Sequence, residues 1–234
     1  MTENNFVKNV KELGIEINEK QLKQLEKYYE LLIEWNEKIN LTGITKKEDV
    51  YLKHFYDSLT IQKIIDLNDV ETLCDVGTGA GFPGLVLKIM FPNLKVTLLD
   101  ALNKRINFLN DVIEKLELKD IETIHSRSED YALKNREKFD VVTARAVASL
   151  PVLMELCVPL IKENGFFIPL KANITEEKLL SKNAILKLSL KEVDELKFIL
   201  PIEKSNRCLI KYLKEKKTEK KYPRKFSEIK KRPL

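Results

Sequence analysis

A glycine-rich segment at residues 75–84, Asp-Val-Gly-Thr-Gly-Ala-Gly-Phe-Pro-Gly, constrains the fold of this chain more than any other feature. It follows a short β-rich run and leads into a stretch of helical character, where Pro83 suits the first helical turn. Glycines let the backbone take positive φ values and approach a ligand closely. The segment therefore predicts a strand, a ligand-binding loop and a helix, in that order.

The spacing of the glycines narrows the kind of ligand. A phosphate-binding P-loop is excluded because no Gly-Lys-Ser or Gly-Lys-Thr is present. A dinucleotide-binding loop has the pattern Gly-x-Gly-x-x-Gly, and here Phe82 occupies the position of the last glycine. The loop is instead an acidic one, with Asp75 two residues before the first glycine.

Beyond residue 70, short β-rich runs alternate with helical ones such as Ala101–Lys115. The strand candidates are Glu71–Val76, Lys95–Leu99, Ile121–His125, Phe139–Thr143, Phe166–Leu170, Lys197–Leu200 and Cys208–Leu213. This alternation is typical of an α/β fold, a mostly parallel sheet with helices on both faces. Such a sheet leaves a ligand crevice at the carboxyl ends of its strands.

The first 70 residues contain no strand pattern and predict a small helical cap. Apolar residues at three- and four-residue spacing indicate an amphipathic helix over 19–40, and a second helical stretch covers about 47–66. We therefore expect three parts: a cap at 1–70, an α/β domain at 71–213 and a C-terminal tail at 214–234.

Charge is distributed unevenly along the 234 residues. From residue 211 to the end there are eleven Lys and Arg against three Glu, a local net charge of +8, whereas the other 210 residues carry 30 bases and 33 acids. A basic tail on a nearly neutral body indicates contact with a polyanion, the alternative being a solvated tail that only aids solubility.

Other classes of protein are disfavoured by composition. The N-terminus is not a signal peptide and no run suits a membrane span, so we expect a cytoplasmic protein without membrane contact. Three scattered cysteines and two histidines predict neither a disulfide framework nor a metal site. We also expect a monomer.

Further acidic residues follow the second and third predicted strands. Asp100 ends the second strand, where a carboxylate can accept hydrogen bonds from ribose hydroxyls, and Ser128-Glu129 follow the third, where an adenine edge can be read. Together with the glycine loop they resemble class I S-adenosylmethionine-dependent methyltransferases, in which Asp75, Gly77 and Gly79 would hold the methionine part. The alternative is a tight turn in an unrelated α/β domain.

The fourth predicted strand indicates what kind of atom accepts the methyl group. It lacks both the Asn/Asp-Pro-Pro-aromatic loop of amine methylation and the cysteine of covalent cytosine methylation. An acceptor with a free lone pair, such as a guanine ring nitrogen, needs only positioning. No catalytic residue is assigned. Arg145 and Lys171, at strand ends, are positioning candidates; the alternative for Arg145 is a structural ion pair with a local carboxylate such as Asp140. His54 is expected to have no acid–base role.

Five motifs in order resemble one family over essentially the whole chain. They are Trp35–Thr42, His54–Leu59, Asp75–Gly84, Val141–Val147 and Lys220–Lys225. The family is the bacterial 16S rRNA guanine-N7 methyltransferase G, also called glucose-inhibited division protein B. The resemblance implies a seven-stranded class I fold, S-adenosylmethionine as cofactor, and 16S rRNA or the small ribosomal subunit as partner.

The resemblance also implies roles for particular residues. Cofactor contacts would fall on Gly77, Phe82, Ser128-Glu129 and Arg145, with the Phe82 ring covering the methionine end. The predicted RNA contacts are Arg105, Arg127, Lys220, Lys221, Arg224 and Lys225. The tail departs from the family pattern at Phe226–Ile229, where a Pro-Gly-Thr-Pro-like turn is usual, and Ser128 replaces a common alanine.

Three other functions remain open on the residues alone. A nonenzymatic ribosome-assembly factor would bind RNA without turnover, but the intact glycine loop argues against it. A nicotinamide-dependent oxidoreductase is disfavoured by Phe82. A methyltransferase acting on a small molecule or a protein is disfavoured by the basic tail and by the family resemblance.

Overall fold

The computed structural model describes all residues 1–234 and contains one seven-stranded sheet with the order β3-β2-β1-β4-β5-β7-β6. The strands are β1 (Thr72–Val76), β2 (Lys95–Asp100), β3 (Ile121–His125), β4 (Phe139–Arg145), β5 (Ile161–Lys171), β6 (Leu190–Ile199) and β7 (Asn206–Lys214). The α/β class and the seven-stranded sheet expected from the sequence are confirmed.

Helices precede the sheet and connect its strands. The α-helices are α1 (Glu3–Glu12), α2 (Glu19–Ile39), α3 (Lys47–Val50), α4 (Asp57–Leu59), α5 (Gly84–Met90), α6 (Asn103–Lys115), α7 (Ser128–Lys134), α8 (Leu150–Cys157), α9 (Thr175–Leu180), α10 (Lys182–Lys187) and α11 (Phe226–Lys231). A π-helical turn, Tyr51–Tyr56, joins α3 to α4. None of these helices is long and apolar enough to cross a membrane.

Strands β1 to β5 pair in parallel, whereas β7 is antiparallel to both β5 and β6. The carboxyl ends of the parallel strands therefore meet at one edge, which we call the carboxyl edge. Because β7 runs the other way, its first residues lie at this same edge, and Cys208 pairs with Lys171 there. The reversed direction of β7 therefore brings its first residues to the carboxyl edge, where the glycine loop also lies.

Alternating residues of each strand enter two separate cores, one on each face of the sheet. On one face Leu73, Leu98 and Val141 join a cluster of 41 buried residues that includes the N-terminal helices. On the other face Cys74 and Leu99 join a cluster of 27 residues that includes α8 and the end of the chain. We call these the cap face and the tail face.

The cap packs directly on the sheet rather than standing apart from it. Helix α2 begins with a reciprocal capping box between Asn18 and Gln21. The Gln21 side chain also donates to the backbone oxygens of Ile89 and Met90 at the end of α5. The sequence pattern did not reveal α1, whose Phe6 is fully buried against Tyr51. The cap is thus one covering layer of the sheet.

Two strands begin five or more residues earlier than the sequence predicted. Strand β5 begins at Ile161 instead of Phe166, because Ile161 pairs with Phe139 of β4 before an irregularity in the register. Strand β6 covers Leu190–Ile199, not 197–200. The sequence of β6 is charged and half-exposed and shows no clear alternation of apolar and polar residues. The reason is that β6 is the edge strand and pairs only with β7.

The C-terminal tail is docked along the tail face, and we call residues 214–234 the strap. Tyr222, Ile229 and Leu234 are buried in the core of this face. The alternative of a solvated tail does not hold for these residues, since apolar side chains spaced along the strap hold it against the body.

Candidate functional site

The glycine loop connects β1 to α5 at the carboxyl edge. Gly77, Gly79 and Gly81 all have positive φ values, 67°, 62° and 93°. A β-carbon placed on Gly77 would lie 2.6 Å from a methyl carbon of Val147, whereas one on Gly79 would meet only the carbonyl oxygen of Gly77, at 4.0 Å. The loop is therefore crowded at its base and open at Gly79, which leaves room for a ligand against the backbone.

Asp75 shapes the loop from below. Its Oδ2 accepts hydrogen bonds from the Thr78 hydroxyl (2.7 Å) and the Gly84 amide (2.8 Å). Its Oδ1 is buried and has no hydrogen-bond partner. Burial raises the pKa of Asp75 to about 6, although these hydrogen bonds and Arg145 oppose the shift. An unpartnered buried carboxylate oxygen beneath an open loop suits a cationic ligand.

Asp100 ties the loop to the second strand. One carboxylate oxygen accepts from the Gly79 amide (2.9 Å) and from Arg105 (3.2 Å), and the other accepts from the Leu102 amide (2.9 Å). The Asp100 side chain is only 3% exposed. The sequence predicted a carboxylate free to receive ribose; the structure shows one whose two oxygens already accept three hydrogen bonds within the protein.

Ser128 and Glu129 begin α7 at the same edge, and both are buried. The Ser128 hydroxyl donates to the Leu156 carbonyl oxygen (2.8 Å), which connects this loop to α8. Burial raises the pKa of Glu129 above its usual range. The proton of the Ser128 hydroxyl is therefore engaged inside the protein, and this hydroxyl cannot donate a hydrogen bond to a ligand.

The Phe82 ring faces the cap. It stacks on His54, with ring centroids 4.3 Å apart, and on Tyr28 at 5.5 Å. The Tyr28 hydroxyl donates to the backbone oxygen of Ala80. The expectation that this ring covers the methionine end of the cofactor stays a prediction; in the structure Phe82 is 6% exposed and its ring lies among cap side chains. Phe82 fastens the loop to the cap.

Arg145, at the end of β4, also binds the cap. Its Nη1 donates to Asp57 (3.3 Å) and to the carbonyl oxygen of Lys53 (3.2 Å), and its guanidinium lies 5.2 Å from the Phe82 ring centroid. The alternative pairing with Asp140 is wrong, because Asp140 lies near the opposite end of β4 and binds Thr72 and Lys162. The cap, and not a carboxylate of its own strand, positions this arginine.

Asp57 bridges two arginines. Besides Arg145, it accepts from Nε of Arg207 at 2.7 Å, and it is only 7% exposed. Neither Asp57 nor Arg207 was singled out in the sequence. The available signal was the motif His54–Leu59, which contains Asp57, and the antiparallel return of β7, which brings Arg207 to the carboxyl edge.

His54 lies beside this cluster as a neutral imidazole. Its Nδ1 accepts from Arg145 at 3.3 Å, so that Nε2 carries the proton it donates to the Thr42 hydroxyl at 2.9 Å. Burial and the neighbouring Arg145 lower the pKa of His54 to about 3. A histidine that stays neutral at neutral pH agrees with the expectation that it has no acid–base role.

A cavity of about 660 Å³ opens between the cap and the carboxyl ends of β4 and β5. Arg145, Asp57 and Arg207 line it, together with Lys171. The Lys171 ammonium pairs with Glu177 (2.8 Å) and donates to the Ala148 carbonyl oxygen (2.7 Å). This lysine therefore holds the loop after β4 in place at the mouth of the cavity.

The six predicted RNA contacts have different environments. Lys220, Lys221 and Lys225 are exposed on the strap. Arg105 pairs with Asp100, and the Arg127 guanidinium lies over the ring of Phe226 at 5.8 Å. The Arg224 guanidinium is bound to the fully buried Glu155 and so anchors the strap. The role of these six residues in RNA binding stays a prediction.

The residues at the carboxyl edge fit a cationic nucleoside cofactor better than a metal ion. The open space over Gly79 and the unpartnered Asp75 oxygen lie in one loop. No group of three or more His, Cys, Asp or Glu residues is arranged to hold a metal. All three cysteines are buried and unpaired.

Comparison with known sequences gives a consistent result. The family model "rRNA small subunit methyltransferase G" matches residues 21–206. The chain is 51% identical over 237 residues to the Ribosomal RNA small subunit methyltransferase G of Lysinibacillus sphaericus, covering 100% of both chains. It is also 51% identical over 232 residues to that of Bacillus subtilis, covering 98% of this chain and 97% of the relative.

Solved structures support the fold. A SAM-dependent O-methyltransferase from Thermotoga maritima aligns with a TM-score of 0.53 at 15% identity, covering 80% of this chain and 72% of that one. A SAM-dependent methyltransferase from Aquifex aeolicus aligns with a TM-score of 0.53 at 17% identity, covering 72% and 94%. With the family match spanning most of the chain, this protein belongs to the rRNA small subunit methyltransferase G family.

Proposed function

We propose that this protein transfers a methyl group from S-adenosylmethionine to N7 of a guanine in the 16S rRNA of the small ribosomal subunit. The observation that carries the proposal is identity of about half of all residues, over the whole length, to rRNA small subunit methyltransferases G. The glycine loop and the adjoining cavity supply the site that this reaction needs.

The proposed cofactor site is the carboxyl edge from β1 to β4. Gly77 and Gly79 offer backbone against which the methionine part fits, and Asp75 places negative charge beneath it. Asp100 and the backbone of Ser128-Glu129 follow toward the ribose and adenine ends. Phe82 and Arg145 contribute by closing the loop against the cap. When bound, the cofactor supplies an electrophilic methyl group on a positively charged sulfur.

The acceptor base is proposed to enter the cavity lined by Arg145 and Arg207. Guanine N7 carries a free lone pair, so that methyl transfer requires in-line positioning but no general base. The cavity agrees with this need, because His54 is neutral and Asp57 is already bound by two guanidinium groups. An arginine at this position can donate to guanine O6 in recognition of the base, which leaves the N7 lone pair free to attack the methyl group.

The charges around the cavity suit the product. Methyl transfer to N7 moves a positive charge from sulfur onto the purine ring. The cavity is lined by four cations, Lys53, Arg145, Lys171 and Arg207, and by three carboxylates, Asp57, Glu177 and Glu203. Such a nearly balanced lining accommodates a base that is neutral before the reaction and cationic after it.

We further propose that the enzyme acts as a monomer in the cytoplasm, where ribosomal subunits are assembled. One chain supplies every residue of the site: Asp57 comes from the cap, Arg145 from β4 and Arg207 from β7. A second copy is therefore not needed to complete it. Light scattering of the active enzyme should give the mass of a single chain.

The deciding experiment is methyl transfer from labelled S-adenosylmethionine to small ribosomal subunits that lack the modification, with naked 16S rRNA in parallel. We expect label in 7-methylguanosine of 16S rRNA. Cofactor binding without any transfer to either substrate would contradict the proposal and favour an RNA-binding assembly factor.

A further inference from the structure

The strap is fixed to the body at its first residues. Lys214 is fully buried, and its ammonium donates to the carbonyl oxygens of Val158 (3.2 Å) and Ile161 (2.6 Å). Four residues later, the Thr218 amide donates to the Glu137 carboxylate at 3.1 Å. The start of the strap therefore has little freedom to move.

A second attachment binds the strap's backbone. The Arg136 guanidinium donates to the carbonyl oxygens of Thr218 (2.7 Å) and Tyr222 (2.5 Å). Arg136 belongs to the turn between α7 and β4, so it comes from the body of the fold. A body arginine thus holds the path of the strap without involving the strap's own cations.

The third attachment is the ion pair between Glu155 and Arg224, which lies outside the proposed cofactor site and the cavity. Glu155, on α8, is 0% exposed. It accepts from the backbone amide of Arg224 (2.9 Å) and from Nε (2.8 Å) and Nη2 of the same residue. A buried carboxylate with a bidentate arginine partner gives a strong and geometrically defined contact.

Exposed cations alternate with these attachments. They are Lys216, Lys217, Lys220, Lys221, Lys225, Lys230, Lys231 and Arg232. A flexible lysine-rich chain loses conformational entropy when it binds a partner, whereas a strap already docked has lost most of it on folding. The buried anchors therefore present the cations in a fixed arrangement.

We propose that the strap is a pre-ordered surface for RNA phosphates, and that Glu155 and Arg224 are the positioning pair that holds it. The inference rests on the proposed function, which supplies the RNA. It assigns Arg224 an indirect role: this residue keeps neighbouring lysines in place instead of contacting phosphate.

The test uses the full-length protein and an unmodified small-subunit rRNA transcript. Glu155→Gln makes the protein one unit more positive, so a purely electrostatic tail would bind the transcript more tightly. The proposal expects the opposite, a loss of about tenfold, because the cations lose their arrangement. Tighter or unchanged binding by this variant would overturn the inference.

A matched pair removes equal charge at adjacent positions. Arg224→Gln and Lys225→Gln each delete one cation, but only Arg224→Gln breaks an anchor. We expect Arg224→Gln to weaken RNA binding several times more than Lys225→Gln, and to make the strap lysines of the free protein more sensitive to trypsin. Equal weakening in the two variants would contradict the proposal.

Two further readouts separate the possible failures. Cofactor binding and the midpoint of thermal unfolding report whether each variant is folded. If a variant is not folded, Arg224→Lys is tested in its place, because it retains the charge without the bidentate geometry. If the wild-type protein shows no salt-dependent binding to the transcript, the proposed RNA substrate itself fails. If the wild type binds but the matched pair is equal, only the strap inference fails.

Discussion

The two faces of the sheet are covered in chemically different ways. On the cap face, the contacts with the glycine loop are aromatic and neutral: Phe82 of the loop stacks on Tyr28 and His54 of the cap. On the tail face, the strap is held by charged groups, including Glu155 with Arg224 and the ammonium of Lys214. The cap face reaches the reacting centre, whereas the tail face directs positive charge outward.

This difference indicates that the two faces of the sheet have different roles. Stacking and apolar burial are not weakened by ionic screening, so the aromatic contacts between cap and glycine loop should persist as salt rises. Exposed lysines interact with phosphates over several ångströms, and their contribution falls as salt rises. Mutations on one face should therefore change cofactor binding, and mutations on the other should change RNA binding.

The largest effect is expected in the glycine loop, where the cap face and the loop after β4 meet. Gly77→Asp places a side chain and a charge against Val147 at a positive φ. We expect a loss of at least about 100-fold in cofactor affinity, measured by calorimetry, since a crowded left-handed position tolerates only glycine.

Gly14→Asp is the matched control for this variant. Gly14 also has a positive φ, 77°, but no atom lies within 4 Å of a β-carbon placed there. Similar losses of affinity in both variants would mean that the loop is not the cofactor site.

A smaller effect is expected from the contact between cap and loop. Tyr28→Phe removes the hydroxyl that donates to the Ala80 carbonyl oxygen inside the core. Leaving a buried acceptor unpaired costs about 1–3 kcal/mol, which should lower the free energy of unfolding by that amount and weaken cofactor binding several-fold.

Tyr29→Phe is the control for this change. The Tyr29 hydroxyl donates to the Thr45 carbonyl oxygen at an exposed site, and its removal should alter stability by less than about 0.5 kcal/mol. A Tyr28→Phe protein with normal cofactor affinity would show that the cap does not hold the loop.

The pH dependence of stability tests the buried carboxylate beneath the loop. Because the pKa of Asp75 is raised to about 6 in the folded protein, the folded state holds this proton more tightly than the unfolded chain does. The contribution of Asp75 to stability is therefore fully present below about pH 4 and is lost as the pH rises through 6.

Asp75→Asn isolates this contribution from those of the other carboxylates. The difference in free energy of unfolding between the wild type and this variant, from denaturant titrations, should change between about pH 4 and pH 6 and be constant above about pH 7. A difference that does not vary over this range would place Asp75 in a more polar environment than the structure indicates.

The smallest effect is expected from single charges on the strap. Lys220→Gln combined with Lys221→Gln should weaken RNA binding a few-fold at physiological salt and lower the salt slope by about 0.7 for each phosphate that is no longer neutralised. Cofactor affinity should not change. Lys8→Gln combined with Lys11→Gln removes two exposed cations from α1 on the cap face and should leave the slope unaltered. Equal salt slopes for the two double variants would contradict the prediction that RNA binds through the tail face and not through the cap face.

Much of the fold was predictable because local patterns agreed with it. The glycine loop, the strand before it and the strand ending at Asp100 each carry a short-range signal of spacing and side-chain type. Strand β6 was displaced in the prediction because an edge strand need not bury either face fully. Helix α1 was missed because two buried residues, Phe6 and Val10, are too few to set a clear period.

The residues of the site can be grouped in the same way, into those with a local sequence signal and those without one. Residues close to the loop in sequence were identified, and their general placement at one edge follows from parallel strands. The grouping of Arg145 with Asp57 and Arg207 was not predicted, because those two residues are 88 and 62 positions away along the chain. Arg224 was predicted to contact RNA because it lies in a lysine-rich segment, whereas its partner in the structure, Glu155, lies in a distant helix.

The sequence by itself determined the class of fold, the acidic glycine loop, the family and the basic end of the chain, since each depends on residue type and short-range spacing. Only the tertiary structure decided that Asp57 joins two arginines, that Phe82 turns to the cap and that the strap is anchored. The physical reason is that a side chain's role depends on which donors, acceptors and rings surround it. Folding brings these together from segments whose local patterns do not refer to one another.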